Sequence, residues 1–255
     1  MGHSADWSDL LQHPAGGNHI VQTWQDESFL ADAVAEYIGA GLRAGEAALV
    51  VSTPAHFDLF KRKLAQARGA GRSGQLRWLD AEDTLAKFMQ DGMPDWTRFH
   101  EIAGGLIAEL RLQYPAVRIY GEMVDVLFQR GERDAAIRLE EFWNELAGLQ
   151  TFSLFCAYQL DHLDANSYAA LQCVCQVHTH LIPVRDYDSF DDAVRDASKE
   201  VLDQPLAQML LSLSASQRSS TEMPLGQATL LWLHKNMPRT AEKVLANVRQ
   251  RFAPA

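Results

Sequence analysis

Residues 29–53, FLADAVAEYIGAGLRAGEAALVVST, decide the fold. Phe29, Ala33, Tyr37 and Gly41 recur at helical spacing, which predicts a helix from Ser28 to Leu42. Gly45 ends the connection, and Ala47 to Thr53 is an apolar run of strand length, as a strand covered on both faces requires. The same alternation continues outward in both directions. His19 to Trp24 (HIVQTW) reads as the preceding strand. Pro54 suits the start of the next helix, which ends in the Gly- and Arg-rich turn around Gly69 to Gly74. Gln75 to Leu79 is a third strand and Ala81 to Met89 a short helix. After the loop DGMPDW, a longer helix from Trp96 to Leu112 stops before Tyr114 and Pro115. Val117 to Tyr120 is the fourth strand, Asp134 to Leu149 a strong helix and Phe152 to Tyr158 the fifth strand. Ala165 to Val177 is helical and Leu181 to Val184 a sixth strand. Repeated β–α alternation with near-continuous apolar strands predicts an α/β fold, a mainly parallel sheet flanked by helices on both faces.

This α/β part is placed at residues 15–185, followed by a helical C-terminal extension over 186–255. Asp186 to Gln204 carries seven acids against two bases and reads as an exposed helix. Ser212 to Thr221 is Ser-rich and reads as a linker. Met223 to Phe252 is helical text broken near Pro238, with five Lys or Arg and one acid. Its apolar residues Leu230, Leu233, Val244, Leu245 and Val248 have two uses, docking on the core or on another chain. The plainer reading, a solvated helix pair, is preferred.

Composition bounds the function. The chain has 255 residues, 47% of them hydrophobic and 22% charged, enough apolar material for a sizeable core and too much for disorder as the main state. Lys and Arg number 23 against 33 Asp and Glu, a net charge of −10, which speaks against nucleic-acid binding as the main business. No apolar run approaches membrane-spanning length and no signal-like leader is read, so the expected location is cytoplasmic. Three cysteines imply no disulfide framework.

In a parallel α/β sheet, ligands bind outside the carboxyl ends of the strands. After the first strand, a nucleotide-binding protein places glycines and a lysine; this chain has Gln25, Asp26, Glu27 and Ser28, whose carboxylates repel phosphate. Glu122 follows the fourth strand directly, with Gly121 permitting close backbone approach. It is read either as a pocket acid or as a carboxylate that caps the next helix or pairs with Arg118. Cys156 and Tyr158 share one face of the fifth strand. Cys156 is a nucleophile only if His19 or His180 serves as its base, and a packed core thiol is the preferred reading. Cys173 and Cys175 with His178 and His180 do not form a familiar zinc spacing, so no metal is assigned; a buried helix end is preferred. Glu141 and Asn144, three apart on the strong helix, border the same pocket or are simply solvated.

Together these segments resemble the MEDS family, the sensory domain named for methanogens, methylotrophs and the regulator DcmR. The resemblance is carried by HIVQTW, the 29–53 segment, VRIYGEMVDVLF, LEEFWNELAG, FSLFCAYQLDHL and VHTHLIP, in the expected order over residues 15–185. It implies a RecA/KaiC-like three-layer domain with a degenerate phosphate loop, serving small-molecule sensing in signalling and transcription regulation. The implied ligand-binding residues are His19, Glu122, Cys156 and Tyr158, with Glu141, Asn144 and His180 as weaker candidates. His19 and Glu122 are expected as a polar pair, Tyr158 as a hydrogen-bonding wall and Cys156 as a soft contact. No catalytic residue, cofactor or metal is assigned. The leading expectation is a non-catalytic sensor relaying its state to a regulatory protein partner through the C-terminal helices, with a homo-oligomer allowed and no nucleic acid or membrane contacted. The alternatives are a module that binds a nucleotide or cyclic dinucleotide without hydrolysis, using the basic stretch Arg62 to Arg72, and a cysteine-dependent enzyme using Cys156.

Overall fold

The computed structural model describes residues 4–67, 74–161, 163–164, 167–182, 187–216 and 223–252. The chain divides into two compact units, Met1–Gln159 and Leu160–Ala255. The first runs α1 (Ser4–Gln12), β1 (His19–Trp24), α2 (Glu27–Arg43), β2 (Ala47–Ser52), α3 (Pro54–Gln66), β3 (Leu76–Asp80) and α4 (Ala81–Phe88). A small hairpin, β4 (Met89–Gln90) and β5 (Met93–Pro94), leads to α5 (Trp96–Phe99), a π-helical turn (His100–Gly104) and α6 (Gly105–Arg111). Then follow β6 (Val117–Gly121), α7 (Met123–Gln129), α8 (Arg133–Leu149) and β7 (Ser153–Gln159).

The expected α/β architecture is present. Five parallel strands of this unit lie in the order β3-β2-β6-β7-β1. Every residue of β1, β2 and β6 is buried, polar ones included, as in strands covered on both faces. Two local readings change. The loop DGMPDW contains half of the β4–β5 hairpin, turned by Asp91 (φ 50°) and Gly92 (φ 79°), the left-handed pair that a two-residue turn demands. The helix expected from Trp96 to Leu112 is interrupted by its π turn.

Sheet topology creates a crevice. From β2 the chain passes through α3 outward to β3, whereas from β6 it passes through α7 and α8 in the opposite direction to β7. Right-handed crossovers therefore place α3 and the α7–α8 pair on opposite faces. The chain parts at the carboxyl ends of β2 and β6, where open α/β sheets bind ligands.

Arg118, the second residue of β6, is 3% exposed yet makes four hydrogen bonds. Its Nη1 donates to Leu11 O (2.8 Å) and Tyr37 O (2.9 Å), its Nη2 to Gln12 O (2.9 Å), and its Nε to Glu46 Oε2. The guanidinium thus ties the end of α1 to α2 and the sheet, the buried charge being tolerable because four of its five N–H donors are met and a carboxylate faces it. Gly41 makes room for it: a Cβ there would lie 2.5 Å from Arg118 Nε.

The second unit contains α9 (Ser167–Val177), β8 (His180–Ile182), α10 (Tyr187–Val201), α11 (Gln204–Ser216), α12 (Leu225–Asn236) and α13 (Pro238–Phe252). The solvated-pair reading of the last two helices is corrected. Leu230, Leu233, Val244, Leu245 and Val248 are all buried, and α10 packs on both α12 and α13. The Ser-rich reading is corrected in part, because α11 continues to Ser216. Ser212 and Ser214 donate to the carbonyls of Gln208 and Leu210, one helical turn back, so serines that compete with helix elsewhere are satisfied within it. The linker's remainder, the tip of the 69–74 turn and the expected strand residues beyond Ile182 lie outside the described residues. Among the described residues no helix is long and apolar enough to cross a membrane.

Candidate functional site

Glu122 occupies the crevice. It stands at the start of α7, but its side chain makes no cap bond. Instead the carboxylate turns toward β2. Oε2 accepts from Thr53 N (2.8 Å) and Thr53 Oγ1 (3.0 Å); Oε1 pairs with His56 Nδ1 (2.6 Å) and accepts from Tyr120 OH (2.9 Å). Glu122 is 3% exposed, so these four donors replace its hydration. Neither plainer reading of Glu122 describes it, since it neither caps nor pairs with Arg118. Burial alone would lower the His56 pKa, but the hydrogen bond and charge of Glu122, aided by Glu27 and Asp125, outweigh it and raise the value. Burial first, then the Glu122 charge, holds Tyr120 protonated as a donor. The Trp24 ring, at the end of β1, packs edge-on against His56 at 5.2 Å.

Side chains alternate along a strand, and register partners in a parallel sheet share a face. By that rule Gln22 and Trp24 of β1, Ser52 of β2 and Tyr120 of β6 lie on one face with Phe155 and Ala157 of β7. Gln22 Oε1 and Nε2 and Ser52 Oγ are buried with no hydrogen-bond partner among the described residues. Such groups are rare because each costs about 1–3 kcal/mol.

The opposite face carries a second polar cluster. His19 Nδ1 lies 2.9 Å from Asn144 Oδ1, while Nε2 lies 3.4 Å from Cys156 Sγ and 3.1 Å from Glu140 Oε2. The Cys156 thiol donates to Glu140 Oε2 over 3.7 Å, and Tyr158 OH donates to Glu140 Oε1 at 2.7 Å. His19, Glu140, Cys156 and Tyr158 are all buried. Burial and the adjoining Glu140 carboxylate push the Cys156 thiol far above its ordinary value.

The structure thus brings together four of the seven residues singled out from the sequence: His19, Cys156, Tyr158 and Asn144. The expected His19–Glu122 pair is replaced by two pairs, His19 with Glu140 and Glu122 with His56. Glu141 points to solvent and pairs with Arg138 at 2.6 Å. His180, in the second unit, bonds the Thr179 hydroxyl. Cys173 is exposed and Cys175 buried on α9. Sequence reasoning missed Thr53, His56, Tyr120, Glu140, Gln22 and Ser52.

At the N-terminus of α2, Asp26 accepts from Ser28 N and Phe29 N, so a carboxylate occupies the amides that a phosphate loop would offer. Of the Arg62 to Arg72 stretch, residues 68–72 lie outside the described set, and Lys63 is engaged by Asp32 at 2.5 Å.

The family model for the MEDS domain, described as the methanogen/methylotroph, DcmR sensory domain, matches residues 18–179, more than half of the chain. No curated protein matches it.

Proposed function

The chain belongs to the MEDS family of sensory domains, and from that premise we propose that it binds a small ligand at the carboxyl edge of its sheet without turning it over. One observation carries this reading: Gln22 and Ser52 hold buried, unpartnered polar atoms on the sheet face that also presents Trp24 and Tyr120, beside the Glu122–His56 pair. A ligand with a donor and an acceptor repays that cost, while Trp24 supplies an apolar wall. A small neutral or cationic polar molecule fits; the Glu122 carboxylate and the Asp26 cap oppose a phosphate. Against the cysteine-enzyme alternative, Cys156 is buried and holds its proton, whereas a nucleophile needs its thiolate.

The state of the site passes to a regulatory protein partner in the cytoplasm. The surface offered is on α11, where Leu206, Met209 and Leu213 are 46%, 56% and 40% exposed along one helical face. Native mass spectrometry of protein purified from its host, with the released small molecule identified after denaturation, tests the ligand reading. A defined adduct of nucleotide mass favours the nucleotide alternative. A small polar adduct that Gln22→Leu abolishes supports the proposal, and one that survives this change removes Gln22 from the site.

A further inference from the structure

The geometry points to a zinc-type divalent cation site formed by His19 Nε2, Glu140 Oε2 and Cys156 Sγ. These three atoms stand 3.1, 3.4 and 3.7 Å apart. Zinc binds histidine nitrogen and carboxylate oxygen at about 2.0–2.2 Å and thiolate sulfur at about 2.3 Å, so tetrahedral geometry separates such donors by about 3.3–3.6 Å. The triangle already has nearly that size. All three side chains belong to the first unit, and their residues are at most 3% exposed. They group as a set of metal-ligand types whose atoms lie within 4.8 Å of one another.

The surroundings are those of a ligand set. With Nδ1–H donated to Asn144 Oδ1, His19 turns the Nε2 lone pair toward Cys156 and Glu140. Metal-bound histidines are oriented in this way by a partner on the other ring nitrogen. Tyr158 OH holds the non-ligating Glu140 Oε1, fixing the carboxylate. The Cys156 thiol lies within reach of both Nε2 and Oε2, which stand 3.1 Å apart. When the cation binds, the thiol proton leaves to solvent and three lone pairs point at one positive charge. The mixed N, O, S set suits zinc over magnesium or calcium, which prefer oxygen.

This site lies on the sheet face opposite the Gln22–Ser52 atoms and does not rest on the ligand reading. The test uses the full chain, stripped of metal by dialysis and titrated with cobalt(II). The expected result is one equivalent bound, a thiolate-to-cobalt charge-transfer band, and loss of that band on adding zinc. Cys156→Ala abolishes the band and Cys173→Ala keeps it. Asn144→Leu, at an exposed position that leaves the core intact, weakens cobalt binding about 10–100-fold, the usual cost of losing a partner behind a ligand. Absence of the band in the wild-type chain overturns the site, as does a band that survives Cys156→Ala. Unchanged cobalt affinity in Asn144→Leu overturns it even if Cys156→Ala fails to fold.

Discussion

Replacing Gln22 with Leu separates a ligand-binding residue from a structural one. Gln22 lies in β1 with no exposed surface, and both its amide atoms lack a hydrogen-bond partner among the described residues. An amide buried without partners costs about 1–3 kcal/mol. Leucine is close to glutamine in size and carries no such cost, so the ligand-free variant should be more stable by about that amount. For a chain of this length, 1 kcal/mol moves Tm by about 2–4 °C, which gives an expected rise of roughly 2–12 °C. The same change should remove ligand stabilisation. If the ligand's polar group then finds no partner in the crevice, the loss is again about 1–3 kcal/mol, on the order of tenfold or more in affinity. The assay is urea or thermal unfolding of extensively dialysed protein, repeated with the small molecule released in native mass spectrometry. A more stable variant with weakened binding is the expected pair of results. A lowered urea midpoint would refute the reasoning, because it would mean that the amide is satisfied in the free protein and serves the fold.

Arg118→Met should cost about 3–5 kcal/mol in chemical denaturation, since it strands Glu46 and three carbonyls; Gly41→Ala should destabilise by about 1–3 kcal/mol by pressing a Cβ on the pinned guanidinium side chain. Burial raises the Asp125 carboxyl to about 6, against bonds from Gln129 and Gln159 that lower it. Its folded pKa exceeds its unfolded one, so the native state holds more protons between about pH 4 and 6 and stability falls as pH rises through that window. Asp125→Asn should flatten this part of the urea-midpoint profile. His56 is raised through Glu122, so its contribution is complete below its unfolded pKa of about 6.5 and is lost as pH rises through the folded value; His56→Gln should remove that alkaline loss. Iodoacetamide at neutral pH should label exposed Cys173 and spare Cys156 until the chain unfolds, with peptide mapping as the readout; rapid labelling of Cys156 would restore the cysteine-enzyme alternative.

The sheet was legible because its strands are covered on both faces, and such strands announce themselves as runs like AALVVS. What escaped the reading has specific causes. α7 follows β6 without a turn signal, its text MVDVLFQ being as apolar as a strand's. α11 hid behind serines whose hydroxyls are spent on its own carbonyls. The C-terminal helices carry five Lys or Arg on their outer side, and charge counting obscured the buried stripe on the inner one. His56 sits in the first turn after β2, and only the strand order reveals that this turn faces the end of β6. Sequence alone places Glu122 at a strand end but leaves open which strand lies beside it.

The choice between Glu140 and Glu141 shows how much a single helical step decides. Both lie on α8 beside the apolar Leu139 and Phe142, and a reading from the 141–144 spacing selects Glu141. Successive residues on a helix are about 100° apart, so one of two adjacent acids turns inward if the other meets solvent. The direction was fixed by Ala136 and Trp143, both buried, which with Glu140 form an i, i+4, i+7 stripe. Glu140 therefore sits in the row that must be buried, whereas Glu141 pairs with Arg138 outside it. A carboxylate in an apolar row is stable only where donors or a cation wait for it. β1 and β7 bring those partners as His19, Cys156 and Tyr158, residues 121, 16 and 18 positions away along the chain. Helical phase alone was enough to flag the acid, but not to say what it holds. That depends on two strands being neighbours, and neighbouring strands are a property of the sheet.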